Sequence, residues 1–263
     1  MLTWNEIQAR RLPFYKRFTK KGYVALTRQL APLFEALKRV TDLDSFIDSI
    51  DHLITTEAIY SYYIDMFTHV GAAFSKFTKR DFKSSIIGIR KKDLENDIWM
   101  ESMEDYVRTD IAERIVLVTD QTKKVTKTLV KRYVDQGLTN GMGIGEITKL
   151  IKKNLTKEGV NIKTWRAKRI ATTEVGAAAN YGIHKTAEST GLLLAKVWLL
   201  APPGLAKVKE RHSLLTDLAK QRPRMDQDFI VDGTPMMYPQ DPKGGAQNVI
   251  NCRCGYAHEV IGG

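Results

Sequence analysis

Cys252 and Cys254, in "NVINCRCGYAHEV" (residues 248–260), are the only cysteines of the 263-residue chain. Thiols one residue apart do not readily pair with each other. A C-x-C pair can instead present two thiolates to one Zn²⁺, and a closed site needs about four ligands. His212 and His258 are the candidates to complete it. The alternative is structural, with the cysteines as small, well-packed side chains of a tight turn.

A second set of chemistry-bearing residues lies in "TWRAKRIATTEVGAAANYGIHKTAEST" (164–190), which reads as a helix. Arg169 and Thr173 are four apart and share a face, with Arg166 one turn earlier. Glu174 lies about 140° round from Arg169 and addresses a different neighbour. In an enzyme Glu174 would be a base and Arg169 an anion clamp. The commoner role for such a set, with Asn180, is a buried polar network that fixes helix packing. No nucleophile or second carboxylate stands at a defined spacing from it, so the expectation is a non-enzyme. "YPQDPKGG" (238–245) is not a phosphate loop, and its prolines predict a rigid surface turn. Walker A, H-E-x-x-H, G-x-S-x-G and G-x-G-x-x-G patterns do not occur.

The elements that must position these residues follow from apolar spacing. Leu26, Leu30, Leu33, Leu37 and Val40 line one helical face, which Pro32 should kink or divide. Asp44 is the expected N-cap of a helix that buries Phe46, Ile50, Leu53 and Ile54. A basic connector is expected around 79–94. A further helix starts near Asn96 and runs through Trp99, Met103, Tyr106, Val107, Ile111 and Ile115, with Gly137 as the later stop. A short helix should bury Ile147, Leu150 and Ile151. "LLLAKVWLLA" has the composition and length of a strand, "FIVDGTPMMY" carries an Asp-Gly hairpin signal, and "CGYAHEV" suits a closing strand. The fold class is therefore α+β: a helical docking region over 1–159, then a compact mixed domain with a β-hairpin over 160–263.

Composition is that of a folded protein, 43% hydrophobic and 27% charged. No apolar run reaches the ~18 residues of a membrane span, and the opening lacks the pattern of a secretory signal. Two cysteines fit a reducing compartment. The net charge of +11 permits an acidic partner, because lysine and arginine at phosphates release counterions. Arg10, Arg11, Lys16, Arg17, Lys20 and Lys21 crowd the N-terminus and form a candidate basic arm for nucleic acid or an acidic protein surface.

Taken together, the "R-x-x-x-x-E" helix of Arg169 and Glu174, the "KERH" turn of His212, "YP-x-DP" and the terminal "INCRC" resemble the Mu F-like minor head proteins of tailed bacteriophages. The order and spacing match over roughly 160–258. The resemblance implies a virion component of the capsid interior that is present in host cytoplasm during assembly. It implies contacts with the portal protein and with major capsid or scaffold proteins, and with packaged double-stranded DNA as a further partner. DNA packaging or ejection is a further role; a DNA-binding ejection protein or a delivered effector enzyme is the alternative. Arg169, Glu174, Asn251 and Arg253 carry over as a structural network, with Arg253 expected to pair with Glu174. Relatives complete a four-thiolate zinc site with a C-P-x-C turn. Here His212 stands in place of one sulfur and another is absent, leaving His212, Cys252 and Cys254 as the candidate zinc ligands.

Overall fold

The computed structural model describes residues 4–29, 31–37, 39–85, 99–201 and 217–261. Seven helices precede a small β region among them: α1 (Trp4–Gln29), α2 (Ala31–Leu37), α3 (Leu43–Leu53), α4 (Thr56–Ser85), α5 (Trp99–Thr109), α6 (Ala112–Thr139) and α7 (Ile144–Glu188). Strands β1 (Leu194–Leu199), β2 (Phe229–Val231), β3 (Thr234–Met236) and β4 (Gly255–Val260) follow, with a short helix at Gly245–Val249 before the last strand. The class is α+β, with the helices first and a β-hairpin near the C-terminus.

Two compact units divide the chain, and they are interleaved. One comprises residues 1–20, 64–110 and 169–263; the other comprises 21–63 and 111–168. The boundary at 168/169 lies inside α7, so residues 144–188 form one helix where the sequence suggested two.

The second unit is built by α3, α6 and the start of α7. Phe46, Ile50 and Ile54 from α3 and its end meet Leu129, Val130 and Tyr133 of α6 and Ile147 and Ile151 of α7. These are the apolar positions that the three- and four-residue spacing places on one face. The N-cap of α3 is Asp42, whose carboxylate accepts from the backbone N–H groups of Asp44 and Ser45, two residues earlier than expected. Helix α6 continues past Gly137, which is buried where a Cβ would overlap Ile147. The stop is Gly141, at φ +65°. The Met142 N–H bonds to the Gly137 carbonyl and the Gly141 N–H to that of Leu138, the paired bonds of a Schellman motif. Pro32 sits in the first turn of α2.

In the first unit, β1 and β4 pair antiparallel from Leu194–Val260 to Leu199–Gly255. β2 and β3 form the hairpin expected of Asp-Gly, with Asp232 and Gly233 both at positive φ. Phe82 of α4, Ala187 of α7 and Leu194 pack together beneath this region. A Cβ on Gly182 would come within 2.9 Å of the Gly71 Cα, so α4 and α7 pass in near backbone contact. The small residues of 171–182 allow this close approach, and Ala177, Ala178 and Ala179 are fully buried.

Arg11 joins α1 to this unit. It is 4% exposed, donates to the Tyr256 carbonyl at 2.7 Å and pairs with Asp81 at 2.6 Å. Phe14 and Tyr15 pack beside it against Phe77 and Phe74. Arg11 therefore belongs to the core and not to an exposed basic arm; Arg10, Lys16, Arg17, Lys20 and Lys21 are exposed. Removing the guanidinium would orphan a buried carbonyl and strand a largely buried carboxylate. Arg11→Met is expected to cost about 2–4 kcal/mol in urea unfolding, whereas Arg10→Met should change stability by less than about 0.5 kcal/mol.

Candidate functional site

The motif segments of the C-terminal half meet in one buried polar cluster. At its centre Gln240 has no exposed surface and a left-handed backbone at φ +68°. Its Nε2 donates to the Thr173 carbonyl of α7 and to the Cys252 carbonyl, both at 2.9 Å. Its Oε1 accepts from Asn180 Nδ2 at 3.2 Å, so both ends of the amide are used. Asn180 Nδ2 also reaches the carbonyls of Pro239 and Cys254. The Thr173 hydroxyl donates to the Arg169 carbonyl and accepts the Asn251 N–H at 3.0 Å.

Local chemistry explains why these segments adopt the required shapes. Gly176 leaves space on α7 that the Gln240 amide fills, and any Cβ there would overlap it. Asp241 accepts from the Met237 and Lys243 N–H groups at 2.7 and 3.0 Å, which closes the loop between the hairpin and the short helix. Asn251 takes φ +63°, a conformation that asparagine tolerates better than most residues. The "YPQDP" segment is thus an interior loop, with Tyr238, Pro239, Gln240 and Asp241 all buried, and not the surface turn its prolines suggested.

The residues expected from sequence are distributed unevenly around this cluster. Glu174 is 2% exposed, while the Arg169 side chain faces solvent and contributes through its backbone carbonyl. Arg253 is half-buried, and among the described residues no ion pair joins it to Glu174. Asn251 takes part through its N–H. Thr173 and Asn180 were visible as polar residues on the helix, but their partners were not. Gln240 was missed; its signal was the place it holds between two prolines in "YP-x-DP".

Cys252 is half-buried and Cys254 buried, and both are free thiols. The hydrogen bond that they share raises Cys252 and is the main cause bringing Cys254 down to about 7, against the opposing effect of burial. The Trp198 indole makes no close hydrogen bond, and its N–H dipole also favours the Cys254 thiolate. The two sulfurs are soft donors suited to zinc. Among the described residues no third His, Cys, Asp or Glu joins them. His212 lies outside the described residues, as does the "KERH" turn. Arg166 lies in a stretch of α7 whose side chains are not described. His258 instead belongs to β4, where its ring packs on Tyr256, and burial drives its pKa down.

Two further ionisable groups are fully interior. Burial lowers His184 to about 4, so it is neutral when it shares a 3.1 Å hydrogen bond with the Tyr256 hydroxyl. Burial lowers Lys196 to about 8, partly offset by Asp228 and Asp241. Its ammonium donates to the Met237 carbonyl at 3.0 Å and lies over the Phe229 ring. The donors of Gln240 and Asn180 are thus spent within the chain itself, while Asn180 Oδ1 is buried without a hydrogen-bond partner among the described residues.

Comparison with protein-family models, with curated proteins and with solved structures finds no match for this chain.

Gln240→Leu would remove two donors and an acceptor from a buried site, and is expected to destabilise the fold by about 2–4 kcal/mol in chemical denaturation. Lys196 gives a pH signature. Its pKa is lower folded than unfolded, so between pH 8 and 10.5 the unfolded chain binds more protons and stability rises with pH. Unfolding across this range should show the native chain gaining on the order of 2 kcal/mol relative to Lys196→Met.

Proposed function

We propose that this chain is a minor head protein of a tailed bacteriophage, of the Mu F-like kind, that docks on the portal and capsid interior during head assembly. The observation that carries this reading is the convergence of its motif segments. The helix of Arg169 and Glu174, the "YP-x-DP" loop and "INCRC" lie far apart in sequence yet meet in one buried network through Thr173, Asn180 and Gln240. Residues combined in this way hold a module together, which suits a structural and assembly protein better than a catalyst. The exposed Arg10, Lys16, Arg17, Lys20 and Lys21 are consistent with docking on an acidic surface. No helix among the described residues is long and apolar enough to cross a membrane.

The test is mass spectrometry of purified phage heads assembled with and without the portal protein. The chain should be present in complete heads at low copy number and lost from portal-less heads. Its absence from complete heads would sink the reading.

A further inference from the structure

A lysine row on α6 is only partly used by the fold. Lys123, Lys124, Lys127 and Lys131 line an open cleft of about 360 Å³ in the second unit, with Asp51 and Asp120 beside them. The steps of three and four from Lys124 to Lys127 to Lys131 put these on one stripe of the helix, with Lys123 at its edge. From Lys123 to Lys131 the row runs about 12 Å. Lys127 is committed to Asp51 at 2.7 Å. Lys123, Lys124 and Lys131 have no ion pair among the described residues. Asp120, three before Lys123 and four before Lys124, and Asp51 offset part of the repulsion within the row.

The lining narrows the class of partner. Lysine meets phosphate as a point charge, without the planar fork that arginine offers to a single defined group. Among the described residues no aromatic ring lines the cleft for bases to stack on, as single-stranded nucleic acid would favour, and no Arg, Asn or Gln is placed there to read base edges. Double-stranded DNA presents a phosphate roughly every 3.4 Å along each strand, which puts three or so within reach of a 12 Å row.

We propose that the α6 lysine row is a contact surface for the phosphate backbone of double-stranded DNA, bound without sequence preference. The choice of DNA rests on the head-protein reading, which places packaged genome beside the chain.

The experiment measures binding of the whole chain to an arbitrary duplex of about 30 base pairs by fluorescence anisotropy, across about 50–200 mM salt. Three phosphate contacts contribute about −2.7 to the slope of log K against log salt. K123Q/K124Q/K131Q should lose roughly that much slope, while K220Q/R224Q/K243Q, the same charge change at exposed cations of the other unit, should lose clearly less. An unchanged slope in the lysine variant overturns the proposal, as does an equal loss in both variants. Tighter binding to poly-glutamate than to duplex also overturns it and assigns the row to an acidic protein. Should the triple variant fail to fold, K124Q/K131Q is expected to lose about 1.8 of slope. Because this readout is independent of head incorporation, failure here and failure of the head-protein reading are told apart.

Discussion

The first unit depends on satisfying one buried amide. Gln240 sits in a left-handed backbone conformation with no exposed surface, which is costly unless every polar atom of its side chain finds a partner. It does so by bridging α7 to the turn before β4, and in doing so it fixes where that turn lies. Gly176 is required on the helix because the amide occupies the space of a Cβ. Asp241 and Asn180 then follow as the groups that close the loop and fill the remaining carbonyl valences.

That constraint explains how a two-stranded sheet can be stable here. A pair of strands is marginal in water without a covering layer. β1 and β4 gain theirs from α4 and α7, through Phe82, Ala187 and Leu194, and from the aromatic cluster of Trp198, Phe229 and Tyr256. Arg11 then caps an outward carbonyl of β4, which ties α1 to the strand that closes the chain's β region. The cysteines lie within this frame: their carbonyls serve the amide network, and their thiols share a hydrogen bond with each other.

The lysine row of α6 and the buried cluster differ in kind. The side-chain N–H groups of Gln240 are taken by the Thr173 and Cys252 carbonyls of the chain itself. The lysines hold charge outward in water, where the Coulomb energy between exposed groups is small and a polyanion can still recruit them.

Sequence alone settled what local chemistry decides. Apolar composition and length located β1 and β4, period-3.6 spacing the buried face of α3, and Asp232-Gly233 fixed the hairpin because the tight turn needs positive φ at both positions. It also drew together the motif residues of the C-terminal half, though not their partners. Tertiary structure decided the rest. Arg11 reads as one more cation of a basic cluster until Asp81 and Tyr256 are brought to it from 70 and 245 residues away. Gln240 reads as a surface turn residue because prolines and a polar side chain say "loop", and nothing local says that the loop is interior. Helix ends at Gly137 and Gly141 are distinguished only when Ile147 packs on the first. In each case the deciding partner is distant in sequence, and burial, not propensity, sets the outcome.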